Sequence, residues 1–200
     1  MFLTGLADEA GKEVDTQIKA TKALGWHYIE LRAAGEKNLA TMSDEEFDRM
    51  QCSLDAAGVK MLINENFTID RNGTKIYICG VDDCHYYGSH DINQAIAGVP
   101  NKAFKIFLCH SPELYADVER AGFSLYLAGH THGGQICPIP GKPILLQSKI
   151  PRRLAAGSWA QGNLKGYTSR GAGSSGVPAR FNCPPEIALI TLKSGTNKNE

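Results

Sequence analysis

Two short apolar runs each end on histidine, and this pattern constrains the fold more than any other feature of the chain. Lys105-Ile106-Phe107-Leu108-Cys109 passes directly into His110, and the run from Phe123 to Ala128 passes into Gly129-His130-Thr131-His132-Gly133-Gly134. Apolar runs this short suit buried strands. After His110, Ser111-Pro112-Glu113 supplies an N-cap residue, a proline for the first helical position and an acid for the first turn, so the segment to Gly122 is expected to be helical. Strand, helix and strand in that order predict an α/β fold, in which ligands collect beyond the carboxyl ends of the strands. His110, His130 and His132 are therefore expected to converge.

Upstream, residues 2–6 and Tyr28 to Leu31 are strand-like. Val14, Ile18 and Leu24 lie at helical spacing before Gly25. Ser43 and Glu46 form a capping-box pair ahead of Phe47, Met50, Leu54 and Ala57, which predicts a helix ending at Gly58. The chain thus opens β-α-β-α. Lys60 to Ile69 and Lys75 to Val81 then flank Asn72-Gly73, the signature of a tight hairpin. The glycine-rich remainder reads as loop and short strand, closing on a strand-like run from Ile187 to Leu192. Residues 1–58 and 59–200 are expected to be distinct parts.

Charge supports the same division. Of 21 basic and 21 acidic residues, 6 basic and 11 acidic fall within 1–58. From Ala121 to Pro185 there is no Asp or Glu, while Lys142, Lys149, Arg152, Arg153, Lys165, Arg170 and Arg180 all lie there. Such a segment favours an anionic ligand, unless its charges are met by the acidic N-terminal part. No apolar run approaches the ~20 residues of a membrane-spanning helix, and the N-terminus lacks the pattern of a secretory signal, so a cytoplasmic address is expected. The six cysteines form no C-x-x-C pair and are expected to be reduced and mostly buried.

Imidazole is the commonest nitrogen ligand of zinc and similar ions. A glycine-flanked His-Thr-His loop frees both histidines from the alternation of a strand, so both can face one ion. His27, His85 and His90 each stand alone, and His27 beside Trp26 reads as packing.

From about Gly58 to residue 193 the sequence resembles the C-terminal half of the calcineurin-like metallophosphoesterases, in the bacterial branch bearing Gly-His-Thr-His-Gly-Gly-Gln. The matching segments are Gly80-Val81-Asp82-Asp83, Leu108-Cys109-His110-Ser111-Pro112-Glu113, Leu127 to Ile136, Gly166-Tyr167-Thr168-Ser169-Arg170-Gly171, and Arg180-Phe181-Asn182-Cys183-Pro184-Pro185-Glu186. The resemblance implies part of that family's β-sandwich flanked by helices. It also implies a divalent cofactor (Zn, Mn or Fe, one or two ions), with His110 and His130 on one ion and His132 on the other. Substrates implied are phosphomonoesters, phosphodiesters or pyrophosphates, including phosphorylated small molecules and lipid-linked phosphates. Nothing points to nucleic acid. Arg170 and Arg180 are the expected phosphate contacts, because a guanidinium donates two parallel hydrogen bonds.

The family's N-terminal motifs, Asp-x-His, Gly-Asp-x-x-Asp and Gly-Asn-His-Asp or -Glu, do not occur in the sequence. Residues 1–58 resemble instead the start of a xylose-isomerase-like sugar isomerase/epimerase barrel, through Gly5 to Ala10, Gly25 to Arg32 and Ala57-Gly58-Val59. This implies a truncated or chimeric chain whose hydrolysis is impaired. Asp8, Glu9, Glu30, Asp82 and Asp83, or a second copy of the chain, are the candidates for replacing the missing carboxylates. The alternatives are a non-catalytic metal- or phosphate-binding module, an inactive fusion, or a sugar isomerase fragment.

Overall fold

A computed structural model describes residues 10–25, 33–38, 41–146 and 148–193. They fall into two compact units, Met1–Met61 with Ile187–Glu200, and Leu62–Glu186. Among the described residues no helix is long and apolar enough to cross a membrane.

In the smaller unit, helix α1 spans Val14–Ala23 and helix α2 spans Asp44–Ala56, with a two-residue pairing of strands β1 (Ala33–Ala34) and β2 (Lys37–Asn38). The capping box forms as expected: the Ser43 hydroxyl accepts from the Glu46 N–H, and the Glu46 carboxylate accepts from the Ser43 N–H. Hydrogen bonding to Lys37 and to the Ser43 backbone pulls the Glu46 carboxyl down to about 2. Met50 and Leu54, one turn apart on α2, bury against Ile18 and Val59. The strands expected at residues 2–6 and 28–31, together with Asp8, Glu9, His27 and Glu30, lie outside the described residues.

The larger unit is a six-stranded mixed sheet flanked by helices, in the order β3 (Glu65–Arg71), β4 (Thr74–Gly80), β5 (Phe104–Leu108), β6 (Leu125–Ala128), β8 (Leu164–Thr168) and β7 (Gly157–Gln161). Asn72 and Gly73, at φ 52° and 80°, turn β3 back antiparallel onto β4, as the Asn-Gly pair predicts. Strands β4, β5, β6 and β8 then run parallel to one another. Aromatic packing fills the interior: Phe107 meets Phe123 and Tyr126 edge-on at centroid distances of 5.0 and 4.9 Å, and Tyr126 meets Trp159 at 5.6 Å. The buried Lys105 donates to the Ala121 carbonyl and lies over the Phe123 ring.

Two expectations require correction. The segment after Ser111 is a 3-10 turn over Pro112–Leu114 followed by a short helix over Tyr115–Arg120, instead of one helix to Gly122. Ile187 to Leu192 forms no strand, and Ile187 and Leu189 are exposed. The edge of the sheet is taken instead by the β7–β8 hairpin, where the Trp159 ring lies so close over Gly166 that a Cβ there would sit 2.2 Å from it.

Candidate functional site

The register brings four strand ends to one edge of the sheet. Gly80 pairs with Leu108, Leu108 with Leu127, and Ala128 with Thr168, so the loops carrying His85, His110, His130 with His132, and Arg170 all leave from the carboxyl ends of parallel strands. In α/β sheets that edge is where ligands bind.

Each loop is pinned by backbone-directed hydrogen bonds. The Gly129 N–H donates to the His110 carbonyl at 2.9 Å, tying the two histidine loops together. Thr131 donates its hydroxyl to the Ala155 carbonyl at 2.6 Å and accepts from the Gly133 N–H. Gly134 has φ 79°, and a Cβ there would fall 2.0 Å from Pro143, so only glycine suits this position. His130 and His132 themselves have φ of 66° and 50°, an uncommon conformation for residues with side chains and one met most often at functional sites. Below them, the wholly buried Tyr126 donates its hydroxyl to the Ser111 carbonyl at 2.6 Å. Burial pushes the Tyr126 phenol well above its usual range, so it remains a donor. Tyr126→Phe is expected to cost about 1–2 kcal/mol by taking the hydroxyl donor from that carbonyl, measurable as a lower urea midpoint at unchanged slope.

The loop after β4 is held from three sides. Asn64 accepts through its side-chain oxygen from the N–H groups of Asp82 and Asp91. Asp83 accepts from the N–H groups of Tyr86 and Tyr87. The Cys84 sulfur lies 3.3 Å from that of Cys109, the residue before His110. Asp82 and Asp83, nominated as substitute metal ligands, are engaged in shaping this turn: Asp82 accepts from the Asp83 N–H at 2.8 Å. All six cysteines are free, with Cys52 exposed, Cys84 half-buried and the other four buried.

The His110 and His130 rings stand edge to face with centroids 5.0 Å apart. The His85 ring lies 4.3 Å from His130 on a tilt of 51°, with Tyr86 against its edge. The reading of His85 as an isolated histidine is thus incorrect. The signal was its place just beyond Gly80-Val81-Asp82-Asp83. That signal is faint in the sequence, where β4 shows as a hairpin partner of β3 and its parallel pairing with β5 does not show. His132 is placed differently, its Nδ1 3.3 Å from Arg180 Nη2.

The arginines are committed to the protein itself. Arg180 donates through Nε to the Gly173 carbonyl, through Nη1 to those of His132 and Cys183, and through Nη2 to those of Arg170, Gly171 and Gly173. Arg170 pairs with Glu186 at 3.3 Å, and Glu186 also accepts from the Arg170 N–H and the Tyr167 hydroxyl. Arg152 and Arg153 likewise donate to the Pro143 and Ala160 carbonyls. Backbone carbonyls thus answer much of the charge of the acid-free segment.

Two imidazoles ligating one tetrahedral ion at about 2.0–2.1 Å place their ring centroids roughly 5 Å apart. The His110–His130 spacing of 5.0 Å suits such a pair, whereas His85 and His130 stand closer, at 4.3 Å. Among the described residues no group of three His, Cys, Asp or Glu side chains is arranged to hold a metal ion. The described residues thus bring histidine rings together at the strand ends without forming a three-ligand metal site.

These features define a mixed α/β protein with a histidine cluster at the carboxyl ends of parallel strands, and relatives of the chain bear the name metallophosphoesterase. It is 32% identical over 137 residues to an uncharacterised metallophosphoesterase of Bacillus subtilis, YkuE, covering 64% of this chain and 47% of that protein. It is 30% identical over 141 residues to the phosphodiesterase YaeI of Escherichia coli, covering 70% and 50%. A metallophosphoesterase of Aquifex aeolicus is 27% identical over 198 residues, covering 94% of this chain and 72% of its own length. The chain spans about half the length of the first two. No family model matches the chain, and neither does any solved structure. The names of these relatives support the resemblance to calcineurin-like phosphoesterases. Nothing supports the resemblance of residues 1–58 to a sugar isomerase barrel.

Proposed function

We propose that the chain is a metal-dependent phosphoesterase acting on phosphodiesters, with His110, His130 and His132 as metal ligands. The observation that carries this reading is the 5.0 Å approach of His110 and His130 at the ends of adjacent parallel strands. A divalent ion bound there would polarise a phosphoryl oxygen and acidify a water. The residues around it hold the imidazoles in place: Thr131 and Arg180 fix the His130–His132 loop, and Tyr126 fixes the backbone after His110. Arg180 acts here as a positioning residue, and Arg170 is the better placed of the two to turn toward a phosphate, since it has one ion-pair partner to leave.

The test is hydrolysis of bis(p-nitrophenyl) phosphate by the purified chain after chelation and after return of Mn or Zn. Slow, metal-restored turnover is expected. A rate indifferent to chelation contradicts the reading. A concentration-dependent specific activity would indicate that a second copy completes the site.

Arg170→Ala is further expected to weaken binding of inorganic phosphate in a low-salt calorimetric titration more than Lys149→Ala does. Equal effects would mean that the basic segment acts only as a diffuse field.

A further inference from the structure

We propose that Cys84 and Cys109 form an oxidisable pair that closes to a disulfide, cross-linking the loop after β4 to the end of β5. Their sulfurs lie 3.3 Å apart although the residues stand 25 positions apart in sequence. A disulfide bond is about 2.05 Å long, so the approach still required is only about 1.2 Å. The surrounding backbone sets this meeting. The Cys109 N–H donates to the Leu127 carbonyl and the Val81 N–H to the Leu108 carbonyl, each at 3.3 Å, which fixes the end of β5 and the start of the loop beside it. Beyond Val81, the Asp83 carboxylate accepts from the N–H groups of Tyr86 and Tyr87, and the Asp83 carbonyl from the Ser89 N–H at 2.9 Å. His85 Nδ1 lies 3.0 Å from Glu113 Oε2. Cys84 is thus carried on a loop held on both sides of it.

The two thiols differ in access. Cys84 is half-buried, whereas Cys109 is buried, so a hydroperoxide meets Cys84 first. The Cys84 sulfur attacks one oxygen of hydrogen peroxide: an S–O bond forms, the O–O bond breaks, and the other oxygen leaves with the thiol proton as water. The Cys109 sulfur then attacks the Cys84 sulfur, forming the S–S bond and breaking the S–O bond, and the hydroxyl leaves with the Cys109 proton as water. Two thiols lose two electrons, and one peroxide is reduced to two waters. Cys137 and Cys183 are arranged differently: both are buried, and their thiols donate to the carbonyls of Gly133 and His132. Closure of the Cys84–Cys109 bond joins the residues immediately before His85 and His110, so it ties two of the histidine-bearing loops into one.

The test is mild oxidation of the 200-residue chain by hydrogen peroxide in the presence of a chelator, so that no ion at the histidines affects the result. Cys52→Ser removes the exposed thiol on α2 and serves as the background. After alkylation with N-ethylmaleimide and proteolysis, mass spectrometry is expected to find the peptide holding Cys84 joined to that holding Cys109, lighter by two hydrogen atoms and separated by dithiothreitol. Cys109→Ser in that background is expected to leave a Cys84 sulfenic acid that dimedone captures. Recovery of Cys84 and Cys109 on separate alkylated peptides from the oxidised, folded chain overturns the inference. A cross-link that forms as readily in concentrated urea also overturns it, because the folded geometry would then not be what pairs them. Should Cys109→Ser fail to fold, the linked peptide in the Cys52→Ser chain decides alone.

Discussion

His130→Ala is expected to abolish metal-dependent hydrolysis of an aryl phosphodiester, a loss of at least about 100-fold, since even an outer partner of a ligating histidine can account for that much. His130 stands between two other imidazoles, 5.0 Å from His110 and 4.3 Å from His85, so its removal takes the shared member from both pairs. The fold should survive the change. The backbone there is already tied by the Gly129 N–H on His110, and the side chain contributes little to the apolar interior, which is centred on Phe107, Tyr126 and Trp159. Alanine at a φ of 66° carries much the same backbone strain as the histidine it replaces, so the melting temperature should stay close to that of wild type and be followed beside the rate. A variant that folds and retains the wild-type rate would show that the cluster takes no part in turnover.

The second large effect is expected for Arg180→Ala, and on stability. One guanidinium joins the His132 loop to the segment 170–173 and to Cys183, three stretches far apart in sequence. Removing it takes a charged donor from the carbonyls of Arg170, Gly173 and Cys183, while those of His132 and Gly171 keep the N–H groups of Gln135 and Glu186. Bonds from a charged donor contribute about 1.5–3 kcal/mol each at most, and these share one partly exposed side chain, so a total loss of about 2–3 kcal/mol is reasonable. For a chain of this size that lowers the melting temperature by roughly 4–12 °C. Arg180→Lys should not rescue it, because an ammonium cannot span carbonyls on several sides of a planar fork. A change in melting temperature under 2 °C for Arg180→Ala would mean that the carbonyls find water at no net cost.

What the sequence disclosed, and what it did not, follows from the range of the interactions. The α2 capping box and the Asn72-Gly73 turn are set by residues within four positions of each other, and both form as read. The placement of His110 and His130 at strand ends was legible because apolar runs pass directly into them. Arg180 looked like a phosphate contact because nothing nearby in sequence shows that its donors are spent on carbonyls up to 48 residues away. His85 looked isolated for the same reason: Glu113 lies 28 positions on, and the parallel pairing of β4 with β5 that brings them together is nonlocal. The β7–β8 hairpin was hidden in a glycine-rich stretch, since Gly166 marks the close approach of Trp159 where a loop would also place glycine.

The central claim, that the histidines at the carboxyl ends of β5 and β6 form a metal centre, is tested most directly by anomalous scattering from crystals of the chain grown with Zn or Mn. The account predicts a peak at ligand distance, about 2.0–2.1 Å for zinc, from ring nitrogens of His130 and at least one of its neighbours. No peak at the cluster, or peaks only elsewhere on the surface, would contradict it.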